Sequence, residues 1–313
     1  MRSTFHPPRP ILIPLALLAL SSPLFAGDPP AAHPLDAARI EALVGVKPAA
    51  SGEELKVSVP QTDIAVVVDG FRITPPMGLT TWAAFTPTHD GAMVMGDVVL
   101  QEGEVGAVER AALAAGLEVT ALHNHFLRDT PKVMFLHIHG EGAVDALAKG
   151  VRTVLDEVRK ARSGAAPPAA PPLEAHFDPA ALGTLLGAEG KLDAGVYRVV
   201  IGRPDVALSD GHASVSTFLG FNTWMAFQGT AARAAVAGDF AMLEAEVPKV
   251  IRALVENGIE VAAVHNHMTG ETPRIVFLHF WGVGPIDKLA HGLRQALDQT
   301  GSRPPAKAGA AKP

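Results

Sequence analysis

The strongest constraint on this 313-residue chain is that it contains one stretch twice. His123-Asn124-His125, then Thr130-Pro131 and Phe135-Leu136-His137, returns 142 residues later as His265-Asn266-His267, Thr272-Pro273 and Phe277-Leu278-His279. Aligning 123–158 with 265–300 gives 17 identities in 36 positions without a gap, and all three histidines survive. Duplication on this scale means two copies of one folding unit. Roughly 100–150 residues per copy is an ordinary domain length.

Comparing the copies gives the order of elements. Asp36 and Asp178 read as N-caps of a short first helix that Gly45 and Gly187 close, with Pro179 at a favoured first-turn position. Strand-like runs follow at 55–59 and 197–201, 64–73 and 206–217, and 79–86 and 221–228, and a further strand ends at Gly96-Asp97 and Gly238-Asp239. An amphipathic helix presents Val105, Val108, Ala112 and Leu113, or Val247, Val250, Ile251 and Leu254, and stops at Gly116 or Gly258. Two strands then carry the histidines, and a last helix shows Val144, Leu147, Val151, Val154 and Leu155 at helical spacing. The expected class is α+β: two tandem repeats, each a mostly antiparallel sheet with two main helices on one face.

Segments outside the repeats differ in character. Residues 1–26 read as a signal peptide, with Arg2 and Arg9 before the apolar run Ile11–Leu20 and Leu24-Phe25-Ala26 at the cut. That run is shorter than the ~20 residues a membrane helix needs. The expectation is therefore an exported bacterial protein, periplasmic or secreted, with no stable membrane insertion after cleavage. Repeat one spans 35–158, a Pro/Ala-rich linker 159–175, repeat two 176–300, and a disordered tail 301–313. A net charge of −6 offers no basic footprint for nucleic acid. Cysteine is absent, which removes disulfides, thiol nucleophiles and thiolate metal sites.

Residues i and i+2 of a strand share a face, so His123 and His125 project together. A hairpin centred on Thr130 would set His137 opposite His123, with Cβ atoms about 5 Å apart. Three imidazoles then share one patch in each copy, as a divalent metal site requires. The expected ligands are His123, His125 and His137 in one copy and His265, His267 and His279 in the other. Neutral imidazole suits Zn first, and Cu, Ni or Fe(II) as well. Recurring acids could supply a fourth ligand, an orienting partner or a general base: Asp97/Asp239, Glu102/Glu244 and Glu104/Glu246. Glu102 and Glu244 are the catalytic candidates, because Glu104 and Glu246 stand where helix capping alone explains an acid.

Other residues weigh less. Asn124 and Asn266 should face away and bond backbone. Trp82 and Trp224, repeated with Phe85 and Phe227, read as core, with a pocket wall as the alternative. His139 has Trp281 as its counterpart and ranks as peripheral, while His89, His212 and His291 have no histidine counterpart and read as surface. The tripeptide is not the HNH-nuclease motif, whose named residues are dispersed.

Gly-x-x-Thr-Trp-x-Ala-Phe, Gly-Asp, a Glu-Val helix, Ala-(Leu/Val)-His-Asn-His and Thr-Pro-(Lys/Arg)-x-x-Phe-Leu-His together resemble the LppY/LpqO family, domain of unknown function 1259. The resemblance covers both copies. It implies an exported bacterial protein and the domain unit, and it carries no activity. Some members are lipoproteins, and this chain departs from them in lacking any cysteine.

Three functions fit these residues. One is binding of a metal ion. Another is a metal-dependent hydrolase whose general base is a Glu or Asp. The third is a metal-free binding module for a small, sugar-like molecule. Oligomeric state is not legible.

Overall fold

The computed structural model describes residues 35–162 and 175–302; the signal peptide expected at 1–26, most of the linker and most of the tail lie outside the described residues. Repeat one comprises α1 (Ala37–Val44), β1 (Ala49–Ser51), β2 (Glu54–Pro60), β3 (Val67–Val68), β4 (Phe71–Arg72), β5 (Thr80–Thr88), β6 (Gly91–Gln101), α2 (Val105–Ala114), β7 (Glu118–His123), β8 (Val133–Gly142) and α3 (Val144–Ala161). Repeat two follows the same order with α4 (Pro179–Leu186), β9 (Gly190–Asp193), β10 (Val196–Gly202), β11 (Ser209–Asp210), β12 (Ala213–Ser214), β13 (Asn222–Gly229), β14 (Ala234–Leu243), α5 (Val247–Glu256), β15 (Glu260–His265), β16 (Ile275–Gly284) and α6 (Ile286–Leu297).

Each repeat builds a six-stranded antiparallel sheet. The orders are β1-β2-β5-β6-β8-β7 and, matching it, β9-β10-β13-β14-β16-β15. The class is α+β, as the element order implies. Capping follows the expected residues: Asp36 accepts from the Ala38 and Arg39 amides, and Asp178 from Ala180 and Ala181. Gly45 and Gly187 close these helices at φ 78° and 77°, where a side chain would be strained.

Central strands β6 and β14 are buried at nearly every position, so both faces of each sheet are covered. One face carries its own helices. Val57, Phe85, Val94 and Ile138 pack there against Val151, Val154 and Leu155 of α3. The other face meets the second repeat. Residues 61–79 form an arm whose Ile64, Val66, Ile73 and Met77 share a core with Ala226, Ala235 and Trp281 of repeat two. The matching arm at 203–221 places Leu208, Val215 and Phe221 on Ala84, Met93 and Met95 of repeat one. The repeats therefore bury their inner faces on each other.

Several local expectations change. The strands expected at 64–73 and 206–217 are these arms, in which the two-residue hairpins β3–β4 and β11–β12 pair and Val67 and Ser209 form single bridges to Thr130 and Thr272. Gly96-Asp97 and Gly238-Asp239 lie inside long strands rather than at their ends. Glycine is needed there because a methyl group at Gly96 would lie 2.6 Å from the Trp82 carbonyl oxygen, and one at Gly238 2.2 Å from that of Trp224. Leu113, expected on the buried face of α2, is 56% exposed. α3 continues through Ala161, past the expected end of the repeat at Val158. Short edge strands β1 and β9 carry mostly exposed residues and no alternation, so no pattern marked them.

The histidine strands pair two residues away from the expected register. His123 faces Phe135 and His137 faces Ala121, past a bulge between Val119 and Ala121. A two-residue shift preserves the face of every side chain, so the inward projection of the histidines stands. His125 lies beyond the end of β7, in the loop 124–132. Asp129 fastens that loop by accepting the Val133 amide at 2.7 Å, as Glu271 accepts that of Ile275 at 3.3 Å.

Candidate metal centre

β7 and β15 are the last strands of their sheets, and the two His-Asn-His segments lie side by side at the join. Asn124 donates to its own Phe126 carbonyl at 2.9 Å and to Ala262 of the other repeat at 3.3 Å. Asn266 mirrors it, donating to Met268 at 2.7 Å and to Thr120 at 3.0 Å. The asparagines bond backbone, as expected, and half of those bonds tie one repeat to the other.

That clamp brings all six histidines together. His123 and His265 stack with ring centres 3.7 Å apart. On one side of this pair Phe135 stacks on His125 at 3.3 Å, and His279 lies tilted against His125 at 3.6 Å. On the other, Phe277, His267 and His137 stack at 3.4 and 4.0 Å. Each three-ring column mixes residues of both copies. The sequence leaves open whether the two histidine triplets are separate or share one cleft, and the rings of both copies meet here in one cluster. The physical cause is the face-to-face packing of the sheets, which turns both histidine faces toward the same space.

Polar satisfaction in the cluster is poor. Both ring nitrogens of His123, His125 and His137, and one each of His265, His267 and His279, are buried with no hydrogen-bond partner among the described residues. Groups of ligand atoms lying within 4.8 Å of one another are His123/His265/His279, His137/His265/His267 and Asp97/His123/His137. Two of the three draw on both repeats. Burial, reinforced by neighbouring imidazoles, holds His123, His125, His137, His267 and His279 well below the usual histidine range, and burial lowers His265 to about 4. They are neutral at pH 7, the form that ligates metal.

Asp97 and Asp239 are the acids at this site. Each is the cross-strand neighbour of a motif histidine, Asp97 of His137 and Asp239 of His279. Asp97 Oδ2 lies 3.7 Å from His125 Nε2, and Asp239 Oδ2 lies 3.5 Å from His267 Nε2. Burial pushes the Asp97 carboxyl up to about 8 and that of Asp239 well above the carboxylate range. Glu102 and Glu244, the expected catalytic acids, are exposed residues beyond the far ends of β6 and β14. Five residues of extended chain separate each from Asp97 or Asp239, about 16 Å. Glu104 and Glu246 cap: they accept the Gln101 and Leu243 amides and pair with Arg162 and Arg203.

His125, His267 and His279, with Asp97 and Asp239, line a cleft of about 830 Å³. Trp82 and Trp224 are half-buried in its walls, against the expectation that they are core, whereas Phe85 and Phe227 are fully buried. Each indole sits one strand from an aspartate, Trp82 opposite Asp97 and Trp224 opposite Asp239. Each also rests against a glycine of the other repeat. A methyl group at Gly78 would lie 3.1 Å from Trp224 Cη2, and one at Gly220 3.0 Å from Trp82 Cη2. Four further histidines lie outside the cluster. His139 pairs with Asp210 at 2.9 Å, and Trp281 at the matching position donates to Asp69 at 2.9 Å. His89, His212 and His291 are at the surface, as expected. Among the described residues no helix is long and apolar enough to cross a membrane.

The family model described as Domain of Unknown Function (DUF1259) matches the chain twice, over residues 38–157 and 180–299. No curated protein matches it in sequence. Among solved structures, EtuB from Clostridium kluyveri is similar at 10% identity over 80% of this chain and 89% of its own, with a TM-score of 0.18. A trimeric bacterial microcompartment shell protein, PduB, is similar at 12% identity over 79% and 88%, with a TM-score of 0.19. Overlap at that level bears on neither fold nor function.

Proposed function

This chain belongs to the DUF1259 family, in two tandem copies, and from that premise we propose that it is an exported protein binding a divalent transition metal at a centre shared by its repeats. The observation that carries the reading is the set of buried imidazole nitrogens without partners. Each buried group left unbonded costs about 1–3 kcal/mol, which a fold of ordinary stability does not sustain many times over at one place. Coordination would satisfy several of them at once. An all-nitrogen and carboxylate donor set favours Zn, with Cu, Ni or Fe(II) as alternatives.

A second reading, metal-dependent hydrolysis, is favoured by the placement of Asp97 and Asp239. Both line the cleft beside the histidines, and a carboxyl with a pKa near 8 is suited to exchange a proton around neutral pH. In that reading they replace Glu102 and Glu244 as the general base.

Elemental mass spectrometry of the purified protein tests the centre, beside His137→Ala, His265→Ala and the double variant. A shared centre predicts that each single change lowers metal affinity at least tenfold and that the double loses little more, because the residues serve the same ion. Independent loss of one equivalent per variant would restore separate sites. Failure to retain Zn, Cu, Ni or Fe(II) would exclude the metal.

A further inference from the structure

We propose that the cleft above the histidines binds a small organic oxyanion, a carboxylate or phosphate monoester, held between Lys56 and Arg198. The inference deepens the metal reading by naming what reaches that centre, but it rests on residues that hold no metal.

Lys56 on β2 and Arg198 on β10 stand 142 residues apart, so they are the same position in the two copies. Each lies over the indole of its own sheet: Lys56 Nζ is 4.3 Å from the Trp82 ring centre and Arg198 Cζ 4.2 Å from that of Trp224. The tip of the opposite arm completes each setting. Phe218 lies 5.1 Å from Lys56 Nζ, and the Pro76 carbonyl accepts from Arg198 Nη1 at 3.3 Å. Both cations line the cleft together with Asp97, Asp239 and His125.

Neither makes a contact ion pair, although Glu54 acts on Lys56 and Asp239 on Arg198 from a longer range. No carboxylate lies within ion-pair distance of either among the described residues. Glu54, two residues from Lys56, is engaged by the Ser216 hydroxyl at 2.6 Å. Burial lowers Lys56 to about 8, with the Arg198 charge contributing, and lowers Arg198 to about 10. Two like charges facing one cleft, held on aromatic faces without a contact carboxylate, are costly in the free protein. One oxyanion between them would offset that cost, with the planar guanidinium meeting two oxygens and the ammonium a third. The positive charge is present in both copies although the residue type differs.

Binding of phenyl phosphate, benzoate and the neutral benzyl alcohol to the full chain can be followed by tryptophan fluorescence and calorimetry, on chelator-stripped and on zinc-loaded protein. At least one anion should bind saturably to the stripped protein, ten times or more tighter than the alcohol, and more weakly as salt is raised. Lys56→Met and Arg198→Met should each weaken it tenfold or more without lowering the melting temperature, while Lys56→Arg retains binding. The two anions distinguish carboxylate from phosphate recognition. Equal binding of the alcohol, or anion binding indifferent to both methionine substitutions, would overturn the proposal. So would anion binding that appears only with zinc and ignores both substitutions, since the metal would then be the anion's partner. A protein that takes up no metal yet binds the anion through Lys56 and Arg198 leaves this inference standing while the metal reading falls.

Discussion

Single residues at this site act by where the other repeat meets them. Gly220, at φ 112°, gives Trp82 its place, and Gly78, at φ 110°, does the same for Trp224 and His125. Gly220→Ala adds both a left-handed strain and a contact near 3 Å. Its expected cost is more than about 1 kcal/mol, with a shifted tryptophan emission, and chemical denaturation with fluorescence detection measures both. The histidines set the pH response of the metal-free protein. Their folded pKa values lie below the ordinary 6.5, so the stability they contribute is present above about pH 6.5 and lost as pH falls through their folded values, near 4 for His265. Asp97 runs the other way: raised to about 8, its contribution is present at acid pH and lost as pH rises through 8. Six imidazoles outweigh two carboxyls. The melting temperature of stripped protein should therefore climb from pH 4 to about 6.5 and then decline more gently toward 8. A scanning-calorimetry series showing maximal stability at pH 4–5 would contradict the neutral burial of the histidines.

At the scale of elements, periodicity and caps located helices and long strands well, because these are decided by neighbours in the chain. The helix starts at Asp36 and Asp178 and the stops at Gly116 and Gly258 are local facts. The arms were misread as strands because their apolar residues satisfy the other repeat, and no spacing within a segment reveals a partner so distant. Glu104 and Glu246 show the same limit in another form. Each is held by a buried arginine, but in copy one it is Arg162 at the end of α3 and in copy two Arg203 after β10. The two reach equivalent carbonyls, Val99 and Ala241, from unrelated chain positions. Arg203→Ala should cost about 3–5 kcal/mol by leaving buried acid unpaired, and Arg162→Ala a similar amount. Urea melts check the size of the effect, and metal content should be unchanged in both, since neither touches the histidines.

Across the whole molecule, duplication is what makes the site. A lone repeat would expose the apolar face that its partner's arm covers, and of the three possible ligand groups among the described residues repeat one alone would hold Asp97/His123/His137 and repeat two alone none. Residues 35–162 and 175–302 made separately should each self-associate in size-exclusion chromatography. Mixed, they should form a one-to-one complex that recovers metal binding. A folded, monomeric single repeat would show that the inner faces do not depend on each other.

The sequence by itself determined the duplicated unit, its α+β class, the family resemblance and the inward projection of His123, His137, His265 and His279. All of these follow from identity at a fixed spacing or from periodicities of two and 3.6, which the backbone imposes locally. Only the tertiary structure decided that His123 stacks on His265, that Asp97 and Asp239 lie beside the histidines while Glu102 and Glu244 do not, and that Trp82, Trp224, Lys56 and Arg198 wall a cleft. Those contacts join residues about 140 positions apart. They are set by how two apolar sheet faces leave water together, a choice made by the packed surfaces of both copies and carried by no single stretch of either.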